Sequence, residues 1–333
     1  MSMSDQNAVP SKGSNEHSMM AWRVHEFGPP DVMAFEKIDR PQPGPGEVLV
    51  RVRAIGVGPW DGWIRAGKSA LPQPLPLTLG SDLSGIIESV GPDVTNFAPG
   101  DEAFGVTNSQ FVGAYAEYAI ASAKMIAKKP ISLDYNAAAS IPVVAVTAWQ
   151  ALFEHGKLTA GQIVIIHGGA GSVGAYAVQL AHRAGIRVVA TASAADLAYV
   201  RSLGADEAVD YKSENLDKQL GQSDVVIDLV GGETQDRSFN LLRRGGRLVS
   251  AVSQPDQEKA ERHGVEAFFF LAEVTADRLA KIADLIDNEK MRTQVGAVLP
   301  LAEARTAHEM LDGILPRPRG KIVLDVPRLP AGR

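Results

Sequence analysis

The chain contains no cysteine. Disulfides, a thiolate nucleophile and every thiolate-ligated metal site are thereby excluded. Its seven histidines form no H-x-x-x-H pair or other ligand spacing. Neither charge sign dominates: 33 Lys and Arg stand against 39 Asp and Glu, a net −6 without a basic block. That balance argues against nucleic acid or an anionic membrane as the main partner. No apolar run approaches the roughly 20 residues of a membrane span. What remains is the composition of a soluble globular protein, and 333 residues are enough for two domains with full cores. A cytoplasmic location is the expectation. Residues 1–18 are polar and lack the apolar centre of a signal peptide; they are expected to be a disordered leader outside the fold.

The most informative stretch is residues 163–174, IVIIHGGAGSVG. Residues 163–166 read as a buried parallel strand and residues 171–184 as a helix with small residues against a sheet. Gly169, Gly171 and Gly174 satisfy G-x-G-x-x-G. In that pattern the first glycine makes the tight turn, the second lets a pyrophosphate approach the backbone, and the third allows close helix–strand packing. The helix N-terminus offers N–H groups and partial positive charge to phosphates. Further strands follow at 188–191, 207–210, 224–229, 246–251 and 265–271, alternating with helical segments. Such βαβ repetition predicts an α/β, doubly wound parallel sheet. Ser172 is not a nucleophile elbow, since G-x-S-x-G is not matched and no triad is apparent.

Residues 22–142 read differently, as short strands cut by Pro and Gly. Residues 47–54, EVLVRVRA, place Val48, Val50 and Val52 on one face; 85–90, 101–106 and 115–120 are further strands. Residues 320–326, GKIVLDV, are again strand-like and are expected to return to this β-rich unit.

Residues 80–91 (GSDLSGIIESVG), 97–101 (FAPGD), 113–118 (GAYAEY), 141–149 (IPVVAVTAW) and 319–323 (RGKIV) stand in an order that resembles the medium-chain dehydrogenase/reductase superfamily, in its zinc-free quinone oxidoreductase branch. The resemblance covers nearly the whole chain. It implies a Rossmann dinucleotide-binding domain over 143–294 and a GroES-like β-rich substrate domain from 19–142 and 295–333. Where zinc-dependent members keep their first cysteine this chain has 55–61, IGVGPWD, and where they keep a His-Glu pair it has Ser81 and Asp82. Three protein ligands and an open position cannot be assembled there, so no metal is expected. An acceptor carrying its own electron sink, a quinone or a conjugated enone, is the expected small-molecule partner. An enoyl-thioester or 2-alkenal reductase, and a non-catalytic NADPH-binding sensor or structural protein, stay open.

The NAD-type acid expected about 20 residues past the fingerprint is missing, because residues 190–193 read ATAS. Ser193 either bonds a 2′-phosphate or caps the next helix. By resemblance Tyr211 faces the same phosphate, and Lys212 adds charge; the expected cofactor is NADPH. The resemblance also implies pyrophosphate contacts from Ala170, Gly171, Ser172 and Val173. It places Thr147, Val252, Ser253, Phe268, Phe269 and Phe270 near the nicotinamide half, the phenylalanines having an equal reading as a buried edge or a dimer seam. Trp60, Asp61, Trp63 and Ile64 are the pocket candidates, with packing as the alternative for the tryptophans and structural hydrogen bonding for Asp61. Relatives commonly have Asn-Pro where this chain has Gly58-Pro59. His167 is expected to be packed and hydrogen-bonded. A homodimer paired through residues 265–271 is expected.

Overall fold

The computed structural model describes residues 17–71 and 73–327. In chain order come β1 (Ser18–Val24), β2 (Met33–Asp39), β3 (Glu47–Val57), β4 (Leu77–Thr78), β5 (Asp82–Val90), β6 (Glu102–Val106), β7 (Tyr118–Ser122) and β8 (Ile126–Lys128). After the helix Pro142–Trp149 follow β9 (Ile163–His167), β10 (Arg187–Ala192), β11 (Glu207–Asp210), β12 (Ser223–Asp228), β13 (Leu242–Ser250) and β14 (Glu266–Phe269), then β15 (Val295–Pro300) and β16 (Lys321–Asp325).

Strands β9 to β14 form one parallel sheet in the order β11-β10-β9-β12-β13-β14. The order reverses between β9 and β12, and such a switch point leaves a crevice at the carboxyl ends of the strands. The central strands are buried on both faces, which is why residues 164–166 and 225–227 read as continuous apolar runs. A second sheet runs β15-β16-β3-β5-β6-β8, with β7 also paired to β3. The chain end does return to the β-rich unit: β16 lies antiparallel to β3, with Ile322 opposite Val57. Val48, Val50 and Val52 face the larger core of that unit, while Leu49 enters a smaller one with Met19 and Tyr118. Trp60 and Phe111 pack against both the β-rich core and the core of the parallel sheet.

The first strand already begins at Ser18, so the expected leader is too long at its end; residues 1–16 lie outside the described residues. β7 starts at Tyr118 rather than 115. Tyr115 is instead held in an irregular segment, its amide donating to Leu79 O at 2.8 Å and its carbonyl accepting from Trp22 N. Among the described residues no helix is long and apolar enough to cross a membrane.

Candidate cofactor and substrate site

The loop after β9 is made of backbone. Gly168, not Gly169, makes the left-handed turn, with φ +78°. A Cβ on Gly169 would sit 2.9 Å from Ala190 Cβ in β10, and one on Gly174 2.2 Å from the Gly168 carbonyl. Two fingerprint glycines therefore serve packing of the loop and of the helix Ser172–Arg183. Gly171 is that helix's N-cap and supplies no side-chain cap; the first α-helical bond runs from Ala175 N to Gly171 O. The amides of Ser172, Val173 and Gly174 precede it and are oriented out of the helix end. Gly171 is exposed, and Ala170, Ser172 and Val173 are half-buried. This geometry suits a pyrophosphate.

Behind the loop His167 is buried. Its Nδ1 lies 3.2 Å from Thr191 Oγ1, which also accepts from Gly168 N, while Nε2 is buried without a partner. Burial pushes its pKa down to about 4, against the opposing pull of Asp228, so the ring is neutral. Asp228, also buried, takes four hydrogen bonds, from Val230 N, Gly231 N, Gln235 Nε2 and Ser250 Oγ. Gln235 Nε2 also reaches the carbonyl and hydroxyl of Ser253. Ser253 and the exposed Val252 are thus held at the end of β13.

At the end of β10, Ser193 Oγ donates to Asp196 Oδ2 at 2.7 Å; its hydroxyl makes no helix-capping bond. Tyr211 N donates to Ala192 O, which sets Tyr211, 52% exposed, in the turn just past β11, beside the end of β10. Lys212 Nζ is 5.7 Å from the Tyr211 ring. Phe268 and Phe269 are half-buried, but Phe270 turns into the core against the His155 ring at 4.5 Å. Thr147 is buried and its hydroxyl bonds back to Val143 O within its helix.

The remaining candidates lie on the loop and short helix Pro59–Arg65. Ile64, 3% exposed, is part of the β-rich core rather than a pocket wall. Trp63 is 53% exposed. The Trp60 indole lies directly over Gly58: a Cβ there would be 2.3 Å from the ring. Hence residue 58 can carry no side chain while Trp60 stands where it does. Trp60 Nε1 donates to Ser81 Oγ at 3.2 Å, and Lys321 Nζ sits 4.2 Å from the ring centroid. Lys321 Nζ is also 3.0 Å from Asp82 Oδ2; both residues are buried. The approach angle is outside hydrogen-bonding geometry for either atom, so this is a contact ion pair. Asp82 Oδ1 accepts from Val143 N at the start of the helix Pro142–Trp149. Burial raises the Asp82 pKa, with Lys321 opposing.

Asp61 Oδ2 accepts from Gly58 N at 2.8 Å and from Tyr115 OH at 3.3 Å. Its other oxygen is buried and unpartnered. Burial pushes its pKa up to about 7, opposed chiefly by the Gly58 amide. Behind Tyr115 a polar chain continues. Arg65 Nη1 donates to His308 Nδ1 at 2.8 Å, and His308 Nε2 lies 3.3 Å from Tyr115 OH. A guanidinium can only donate, so Nδ1 is the acceptor and Nε2 carries the hydrogen. Burial, then Arg65, lowers the His308 pKa to about 3.

Residues 44–131 match the family profile of the alcohol dehydrogenase GroES-like domain, and 203–324 that of the zinc-binding dehydrogenases. The chain is 34% identical to a quinone oxidoreductase of Sus scrofa, over 87% of this chain and 93% of that protein. It is 32% identical to a chloroplastic NADPH-dependent alkenal/one oxidoreductase of Arabidopsis thaliana, over 90% of this chain and 77% of that protein. The solved quinone oxidoreductase of Coxiella burnetii superposes with TM-score 0.85 at 33% identity, covering 93% of this chain and all of the other. The chain belongs to the medium-chain dehydrogenase/reductase superfamily, among its quinone oxidoreductases. It is an oxidoreductase.

The resemblance puts the first ligand of zinc-dependent members within residues 55–61 and their His-Glu pair at Ser81 and Asp82. Here Gly58 has no side chain, the Ser81 hydroxyl accepts from Trp60, and Asp82 faces an ammonium group. The residues do not fit a zinc ion: Asp82 is paired with the Lys321 ammonium, Asp61 is held by the Gly58 amide and the Tyr115 hydroxyl, and no third ligand stands beside them among the described residues. They do fit a nicotinamide dinucleotide at the glycine loop. Sequence reasoning missed Lys321, Arg65, Tyr115 and His308 as neighbours of the pocket loop. Lys321 lay in the R-G-K match, but nothing local signals that it crosses to Asp82, 239 residues earlier.

Proposed function

We propose that this member of the superfamily transfers hydride from NADPH to a quinone or a conjugated enone without a metal ion. One observation carries the reading: Asp82, at a position the resemblance assigns to the ligands of zinc-dependent members, is buried against the Lys321 ammonium under Trp60. NADPH, when bound, supplies the hydride. The acceptor delocalises the resulting negative charge onto its own oxygen, so no Lewis acid is required, and water delivers the proton. The chain's own residues position the reactants and exclude water. Ala170, Gly171, Ser172 and Val173 hold the pyrophosphate, while Thr147, Val252, Ser253, Phe268 and Phe269 flank the nicotinamide half. Trp60 and Trp63 offer flat walls to a planar acceptor, and Asp61 fixes the loop through the Gly58 amide. Ser193, Tyr211 and Lys212 receive the 2′-phosphate and favour NADPH over NADH.

The test is steady-state NADPH oxidation with 9,10-phenanthrenequinone, 2-alkenals and crotonyl-CoA, each before and after treatment with a chelator. Quinone turnover indifferent to the chelator is expected. Stoichiometric zinc, with alcohol oxidation lost on chelation, would overturn the reading. Tight NADPH binding without any turnover would identify a nucleotide-binding protein instead. The reading includes a cytoplasmic homodimer joined through β14, which is paired to β13 on one side and is the edge of its sheet. Light scattering should return twice the chain mass.

A further inference from the structure

The end of β10 holds a contact that crosses the whole fold. Arg319 lies in the loop just before β16, a strand of the second sheet rather than of the parallel one. Its Nη1 nevertheless donates to Asp196 Oδ1, just past Ser193. The guanidinium is stacked on the Tyr199 ring, 4.1 Å from its centroid. The second oxygen of the same carboxylate accepts from Ser193 Oγ at 2.7 Å. One anion therefore occupies both the hydroxyl and the guanidinium that a phosphate at this corner would use. The pair remains partly open to solvent, with side chains 39% and 28% exposed. Ion pairs this exposed are weak and exchange readily.

We propose that Asp196 is an internal stand-in for the cofactor's 2′-phosphate, and that Arg319 is the cation which reads that phosphate once Asp196 is displaced. The inference rests on the assignment of Ser193 and Tyr211 to the adenosine 2′ position. A phosphate monoester carries nearly two negative charges at pH 7 and three acceptor oxygens. It therefore outcompetes a single carboxylate for a guanidinium fork, and Asp196 swings toward solvent. With NADH no phosphate is present, and Asp196 keeps both partners. Asp196 thus lowers NADPH affinity by competition, whereas Arg319 raises it. Because Arg319 comes from the β-rich side, the 2′-phosphate also ties the two sheets together.

Dissociation constants measured by fluorescence titration decide the matter, using NADPH, NADH, 2′,5′-ADP and 5′-AMP. The proteins are the native chain, Asp196→Asn and Arg319→Gln. Asp196→Asn is expected to tighten NADPH and 2′,5′-ADP by about tenfold, and Arg319→Gln to weaken both by about tenfold, the scale of one charge-assisted contact. NADH and 5′-AMP should change less than about twofold in either variant, which also shows that the fold is retained. If Arg319→Gln weakens NADPH while Asp196→Asn does not tighten it, the stand-in role is wrong and the 2′-site assignment survives. If the native chain binds 2′,5′-ADP no better than 5′-AMP and Arg319→Gln changes nothing, the 2′-site assignment itself fails, and this inference with it.

Discussion

At the carboxyl end of β9 the site is made of backbone, exposed and uncapped; around Gly58 it is made of side chains that already fill it. The glycine loop leaves the amides of Ser172 and Val173 facing outward, and its neighbour His167 is held neutral by burial. Around Gly58 an indole, an ammonium and two carboxylates pack together with almost no exposure of Asp61, Asp82 or Lys321. The first region waits for an anion from outside. The second pairs its ammonium with a carboxylate of the same chain.

The largest effect belongs to the filled end. Asp82→Ala leaves the Lys321 ammonium buried and unpaired, which should destabilise the fold by about 3–5 kcal/mol in denaturant titrations. The double change Asp82→Leu with Lys321→Met should recover most of that loss, since a well-packed apolar pair can replace a buried ion pair. Equal damage from the single and double changes would mean that shape rather than charge holds the region.

Next comes Asp61. Its pKa near 7 in the folded chain lies above the ordinary carboxylate value of 3.8. The native state therefore binds more protons than the unfolded state between those limits. Its contribution to stability is present below about pH 4 and is lost as pH rises to 7, with a slope approaching about 1.4 kcal/mol per pH unit. Asp61→Asn keeps an acceptor for Gly58 N and Tyr115 OH and should flatten that part of the stability profile. An unchanged profile would show that Asp61 is ionised throughout.

At the open end, Gly174→Ala drives a Cβ to 2.2 Å from the Gly168 carbonyl. The loop must shift, and binding of NADPH and NADH should weaken together by about 1–3 kcal/mol, the usual cost of overpacking. Selective loss of one cofactor would mean that the loop does not hold the shared pyrophosphate. The smallest effect is Tyr211→Ala, which removes a half-exposed ring. It should weaken NADPH by about tenfold, the scale of one good contact, with NADH and the thermal midpoint nearly unchanged. Parallel loss of both cofactors would move Tyr211 away from the 2′ position.

The open end was largely legible beforehand. Strand order and glycine spacing follow from local rules, and the observed β9, β10 and β12 fall within a residue or two of the expected segments. The roles within G-x-G-x-x-G were less legible: the turn belongs to Gly168, which lies just outside the pattern. Phe270 illustrates another limit. Three consecutive phenylalanines look alike in sequence, yet only the last is fully buried, beside His155, while Phe268 packs against the same core half-buried. Ile64 and Trp63 are neighbours with opposite fates, because the short helix Pro59–Arg65 buries one face and exposes the other. The departure from Asn-Pro at Gly58-Pro59 gains its reason only from the indole lying above it.

Residue types at short, regular spacing determined the fold class and the glycine loop after β9, and the lack of cysteine determined the absence of thiolate chemistry. Tertiary structure alone decided which distant charges meet. Lys321 reaches Asp82, Arg319 reaches Asp196, and His308 reaches Tyr115 and Arg65, each across more than a hundred residues. Buried charge needs a partner wherever one can be brought near, and only the packing of two sheets against each other determines which partner that is.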